Sequence, residues 1–297
     1  MAITRAAAVP LEQSAPKARR RQWRRLIENR LSLIGGVVLL LLAFGAIAGP
    51  ALARHFLDLT PNKLICMPLE KPSGKHPFGC DPLGRDLLAR LLAGGRISLS
   101  VGVLVALCTT VLGLLVGLLS GYLGGFVDSA LMRFTDTMLA MPTFFIVLAA
   151  AAFLGPSLFN TIAIIGVTQW MVTARLIRSE CLAIREKEYI VAARVIGHSN
   201  AGIMRHMLLN VISTVVVVAT LAVATGILTE SALSYLGLGI QPPQSSWGAM
   251  LSGAQGYIFT EPMQGVYPGL LIVLTVLAVN FLGEGLREAL DPRLTRR

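Results

Sequence analysis

Few side chains in this sequence are able to do chemistry, and they are poorly clustered. There are four cysteines among 297 residues. Cys66 and Cys80 share one polar segment. They either oxidise to a disulfide closing a loop of roughly 15 residues, worth about 3 kcal/mol in the loop-entropy picture, or remain two thiols. Cys108 falls in an apolar run and Cys181 in a basic segment. A phosphate-binding loop is absent, because Gly74-Lys75-His76 lacks both the earlier glycine and the following Ser or Thr. No H-E-x-x-H or C-x-x-C spacing occurs, and His198 and His206 stand without clustered ligands. Each histidine is therefore expected at a surface, and no metal site is expected. Nothing here points to an enzyme.

What remains is a segment suited to mechanical work. Glu188-Tyr189-Ile190-Val191-Ala192-Ala193 is followed by Gly197 and by Arg205-His206, between two long apolar stretches. As a helix it places Tyr189, Ala192, Ala193 and Ile196 on one thin apolar stripe that a partner cleft can approach closely. Gly197 stops that helix, and Ser199 or Asn200 caps the next.

The elements that position this segment follow from composition. The chain is 54% hydrophobic and 14% charged, with a mean hydropathy of +0.69, outside ordinary soluble usage. A bilayer core about 30 Å thick needs about 20 apolar residues per helix. Six stretches meet that length: Leu33 to Ala53, Leu99 to Gly121, Thr137 to Leu154, Leu158 to Ile177, Met207 to Thr229 and Tyr267 to Gly285. The fold class expected is an all-α membrane protein of six transmembrane helices. Arg19-Arg20-Arg21 before an apolar run ending Ala51-Leu52-Ala53 has the look of a secretory leader, but the run is long for one and reads as a retained first span.

Net charge of +10 raises the question of nucleic acid, and the distribution of charge answers it. Eight Lys and Arg precede Leu33, one lies in 122–136, six in 175–206 and four after Gly285. On the opposite face, residues 54–98 carry seven and residues 230–266 none. That asymmetry is a topology signal, placing both termini in the cytoplasm, and nucleic acid is not an expected partner. The organisation is then a cytoplasmic tail 1–32, a transmembrane domain 33–289 and a short cytoplasmic tail 290–297. The domain has outer loops 54–98 and 230–266 and a cytoplasmic loop 178–206. Cys66 and Cys80 fall in the first outer loop, and lipid is a partner throughout.

Smaller features fit this frame. Gly113, Gly117, Gly121 and Gly125 recur every four residues and read as a helix-packing face. Asp81, Arg85, Asp86 and Arg90 are spaced to pair if a short helix begins near Asp81, capping the bundle. Asn160, Gln169, Asn210 and Asn280 are read as interhelical hydrogen bonds, and no substrate-binding residue is singled out. After Pro242-Pro243, the segment Trp247 to Gly256 is read as re-entering the membrane or lying at its interface with Trp247 as anchor, either as a plug or docking ledge or as plain interfacial packing.

Several ordered motifs resemble one family. They are Gly79-x-Asp81-x-x-Gly84-Arg85-Asp86, the Asp128 to Asp136 turn, Glu188-Tyr189-x-x-Ala192-Ala193-x-x-x-Gly197, Leu236-Gly237-Leu238-Gly239-x-Gln241-Pro242-Pro243, and Gly283-x-Gly285-Leu286-Arg287-x-x-Leu290-Asp291-Pro292. Together they resemble the C-type permease subunits of bacterial binding-protein-dependent ABC importers, in the dipeptide, oligopeptide and nickel branch. The resemblance implies a type I importer permease fold in the inner membrane, with Glu188, Tyr189, Ala192, Ala193 and Gly197 in a cytoplasmic coupling helix. It also implies a homologous B-type permease, one or two ATP-binding subunits holding ATP and Mg, and an extracytoplasmic binding protein as partners. Di- or oligopeptides are the substrates it implies, with nickel or a nickel chelate as the alternative; an ion-coupled secondary carrier is the rival class. Two positions depart from the pattern. Leu209 stands where the family often has Pro, and Cys80 where Thr is common, which is what suggests an added disulfide with Cys66.

Overall fold

The structure is a computed structural model, described for residues 29–290. The basic tail 1–28 and residues 291–297, with Asp291 and Pro292 of the C-terminal motif, lie outside the described residues. Every regular element described is helical: α1 (Arg30–Ile47), α2 (Gly49–Leu57), α3 (Leu87–Leu123), α4 (Gly125–Ala140), α5 (Thr143–Leu154), α6 (Leu158–Thr168), α7 (Met171–Arg185), α8 (Glu188–Val195), α9 (Asn200–Tyr235), α10 (Trp247–Ala254) and α11 (Met263–Leu290), with a 3-10 turn at Gln255–Tyr257.

Helix starts are written in short polar side chains. Asn29 accepts from the amides of Leu31 and Ser32, Asp86 from Ala89, Ser157 from Asn160, Ser199 from Gly202 and Ser246 from Ala249. Each satisfies an amide that the first helical turn leaves without a partner. α3 has 37 residues and is about 55 Å long at 1.5 Å per residue, more than the bilayer core needs. It is the hub of the bundle.

α9 runs antiparallel to α3. The phenol of Tyr122 donates to Asn200 at one end, 2.7 Å, while Ile227 fills the space beside Gly102 further along. α6 and α7 run parallel to α3: Gly166 meets Cys108, Gly113 meets Thr173, and Gly117 meets Ala174 and Ile177. A Cβ on Gly117 would lie 2.6 Å from the Ala174 carbonyl oxygen, so the seam closes only without side chains. Gly125 is not part of it, because α3 ends at Leu123 and nothing approaches Gly125. α1 is held against α11, with Gly35 under the backbone at Ala278.

Among the described residues four helices, α1, α3, α9 and α11, are long and apolar enough to cross a membrane, and α4 with α5 make a fifth if the bent pair is one crossing. Two of the expected spans are interrupted. Thr137 to Leu154 breaks at Met141-Pro142 with a bend of 83° between α4 and α5, because the proline pushes Met141 into extended backbone. Leu158 to Ile177 breaks at Gln169-Trp170, where neither Pro nor Gly stands. There Gln169 Nε2 donates to Thr229 Oγ1 of α9, 2.9 Å, and Trp170 is buried beside Met171 and Ala174.

The segments read as loops are more helical than their polarity implied. α3 begins at Leu87, six residues beyond Asp81, so Asp81 sits in a turn rather than opening the helix. It takes Arg85 at 2.6 Å and Arg90 at 3.3 Å. Trp247 of α10 is packed inside the bundle rather than serving as an interfacial anchor. Trp247 is 2% exposed and donates Nε1 to the Leu91 carbonyl, 2.9 Å, while Ser98 receives its backbone amide. Glu230, also buried, accepts from Ser234 at 2.7 Å and Ser246 at 2.6 Å, tying the end of α9 to the start of α10.

Candidate functional site

Three places bring together residues with more than a packing role. The first is α8, at the Leu123 end of α3. Its Ile190 is wholly buried among Ile177, Cys181, Ile184, Ile203 and Met207, which fixes the helix on the bundle. Gly197 then stops it at φ +86. The amide of His198 reaches the Ala193 carbonyl, 3.0 Å, and that of Gly197 reaches Arg194, 3.1 Å, a Schellman stop that needs a left-handed residue at Gly197.

With one face so held, the other is bare. Glu188, Tyr189 and Ala192 are exposed and Ala193 is half-buried, while Val195 and Ile196 are 83% and 78% exposed. Glu186, Glu188, Val191, Ala192, Val195 and Ile196 border a shallow hollow of about 420 Å³. Val191 and Val195 are the members that the stripe read from spacing did not include. Only the rotation of α8 set by Ile190 exposes them.

Around α8 the bundle is braced by charge. Arg178 of α7 donates to both carboxylate oxygens of Asp128 in α4, at 2.5 and 2.6 Å, Arg175 pairs with Asp136, and Thr214 of α9 donates to Glu180 at 2.6 Å. These contacts join α4, α7 and α9, and Ile190 seats α8 on the last two. Cys181 lies inside this brace, where burial, helped by Glu180, pushes its thiol up to about 11. It is expected to resist maleimide in the folded protein at about pH 8 and to react fully after denaturation, because the thiolate is the nucleophile. Mass analysis of labelled protein checks this.

The second place is a cleft of about 580 Å³ halfway along the bundle, where α6 and α7 break. Thr109 of α3, Thr168, Gln169 and Thr173 at the break, and Thr225 and Thr229 of α9 line it among apolar side chains. The Thr109 hydroxyl, buried, has no hydrogen-bond partner among the described residues. Of the amides and asparagines noted in the sequence, Gln169 bridges helices, Asn160 caps the end of α5 at Leu154, and Asn210 bonds within its own helix at His206. Asn280 is exposed.

The third is the loop at the Leu87 end of α3. Cys66 and Cys80 are joined as a disulfide with Cα atoms 6.5 Å apart. His76 is not at the surface: it is buried and its Nδ1 lies 2.9 Å from a carboxylate oxygen of Asp86, itself fully buried. Sequence gave no sign of that burial because His76 lies in a Gly- and Pro-rich stretch without periodicity.

Long apolar helices around a mostly apolar cleft, with a bare helix at one end, are the architecture of a membrane transport component. The chain belongs to the family of binding-protein-dependent transport system inner membrane components, which it matches over residues 113–296. Residues 18–68 match the N-terminal TM domain of oligopeptide transport permease C. It is 43% identical over 271 residues to the oligopeptide transport system permease protein OppC of Escherichia coli, covering 91% of this chain and 89% of that one. It is 39% identical over 279 residues to the dipeptide transport system permease protein DppC of Bacillus subtilis, covering 92% and 85%. To the DppC protein of Alkalihalophilus pseudofirmus it is 37% identical over 277 residues, covering 93% and 90%. It is thus a multi-pass protein of the inner membrane.

Proposed function

We propose that this chain is one half of the translocation path of an ATP-driven importer for di- or oligopeptides delivered by an extracytoplasmic binding protein. The observation that carries this reading is the bare apolar face of α8, Val191, Ala192, Val195 and Ile196, on a helix fixed at both its buried face and its stop. A chain with no phosphate loop must take its work from elsewhere, and that face is where a separate ATP-binding subunit would seat. Glu188, Tyr189, Ala192, Ala193 and Gly197 then belong to a coupling helix, with ATP and Mg held by the ATPase. The other half of the path is a homologous permease.

The chain crosses the membrane six times in this reading, with both termini and α8 in the cytoplasm. The parallel course of α6 and α7 along α3 supports counting that interrupted pair as one crossing, and α4 with α5 as another. Basic residues crowd the α8 side, in keeping with that orientation.

Peptide is favoured over nickel because relatives so similar over nearly the whole chain are named for oligopeptide and dipeptide transport. The central cleft, apolar but for a few threonine and glutamine groups, is where such a substrate would pass. Thr225 is exposed to that cleft, and Thr225→Trp is expected to cut uptake of a labelled oligopeptide by about tenfold or more, some 1.4 kcal/mol, with the complex still assembled. Uptake in cells with and without the chain, measured with labelled peptide and with nickel, tests the substrate. Nickel uptake dependent on the chain, with peptide uptake unaffected, would overturn it.

A further inference from the structure

We propose that Cys66, Glu70, His76 and Cys80 form a zinc site that the loop between α2 and α3 holds when the two cysteines are reduced. One donor atom from each of the four lies within 4.8 Å of every other. Two thiolates, one imidazole and one carboxylate fill the four positions that zinc prefers. The sulfur content sets the site apart from calcium or magnesium, which take oxygen ligands.

The surroundings are those of a built site. His76 Nδ1 meets Asp86 at 2.9 Å, and a carboxylate that accepts a hydrogen bond from Nδ1–H leaves the lone pair on Nε2, the ligating form. Asp86 is in turn fixed as the cap of α3, its other oxygen receiving the Ala89 amide at 2.8 Å. Glu70 uses one oxygen, Oε2, to accept from the Met67 amide, 3.1 Å, and keeps the other. Backbone bonds also clasp the arms of the loop: the Cys80 amide donates to the Glu70 carbonyl, 2.9 Å, and the Cys66 amide to that of Gly84, 3.3 Å. Gly79 and Gly84 are both left-handed, and a Cβ on Gly84 would lie 2.5 Å from the Cys66 carbonyl oxygen. So close a fit is expected to keep the four donors together once the sulfur–sulfur bond is opened.

Disulfide and metal exclude one another, since both use the two sulfurs. A dithiol reductant opens the bond by supplying two electrons and two protons, leaving two Cys thiols and the reductant's own disulfide. Zinc then displaces the two thiol protons and binds the thiolates. The loop thereby has two closed states, one covalent and one metal-bridged.

The test uses the full chain in its assembled, detergent-solubilised complex. After anaerobic reduction, exposure to zinc and dialysis, elemental analysis is expected to find about one zinc per chain beyond that of the complex with Cys66→Ser and Cys80→Ser. The unreduced complex is expected to show no such excess. Cobalt in place of zinc should give a sulfur-to-cobalt charge-transfer band and the visible absorption of a tetrahedral ion. His76→Gln and Glu70→Gln, with both cysteines kept, are each expected to weaken retention against a chelator by about tenfold or more. Two results overturn the proposal: no excess zinc in the reduced complex, or retention that neither substitution changes, which would mean simple chelation by two thiols.

Discussion

Val195→Asp is expected to bring ATP-driven uptake down to background while leaving the permease itself folded. Val195 is 83% exposed, and α8 is held by Ile190 on its other face. A charge at Val195 therefore breaks nothing within the chain. Against a partner's apolar groove the same charge must be desolvated without an ion to pair it. A substitution at the centre of such a contact costs about 2 kcal/mol or more, roughly thirtyfold in affinity. The ATP-binding subunit should be lost on co-purification, and Val195→Leu should retain it. If Val195→Asp kept both the subunit and full uptake, α8 would not be the coupling surface.

Gly117→Val is expected to lower the stability of the protein strongly. The new Cβ would meet the Ala174 carbonyl oxygen at 2.6 Å and the Ile177 Cβ at 2.9 Å. The first of these is backbone, which no rotamer change can move, so α3 and α7 must part. Overpacking costs about 1–3 kcal/mol, occasionally more, and here it also loosens α7, which carries Arg175, Arg178 and Glu180. Thermal unfolding of the solubilised complex should show Gly117→Val well below the parent and Gly117→Ala between them. Gly253→Ala, where nothing lies within 4 Å, should unfold like the parent. Equal stability of Gly117→Val and the parent would contradict the close seam.

The helical membrane architecture was legible in composition, and the glycine repeat at 113, 117 and 121 pointed to a packing face. Short-range signals worked wherever a helix end depends on a neighbouring residue: Gly197 stops α8 and Ser199 caps α9. Breaks and burial that depend on distant residues were not legible. The interruption at Gln169-Trp170 answers to Thr229, 60 residues away. The burial of Trp247 answers to Leu91 and Ser98, about 150 residues away. Hydropathy carries no direction inside a membrane, since lipid and helix interior are alike apolar. For α8 the reason is different: spacing alone does not fix the rotation that Ile190 sets, so the stripe read from it leaves out exposed Val191 and Val195 and takes in half-buried Ala193. The convergence of Cys66, Glu70, His76 and Cys80 was invisible, because a tight irregular loop brings donors together by turns rather than by period.

The central claim is that this chain moves substrate only when a separate ATPase drives it through α8. The most direct measurement is accumulation of a labelled oligopeptide by proteoliposomes holding this chain, its permease partner, the ATP-binding subunits and the binding protein. Accumulation is expected only with ATP and Mg on the α8 side and binding protein on the other, and is expected to vanish with Val195→Asp. Accumulation by this chain alone, driven by an ion gradient and indifferent to ATP, would contradict the account.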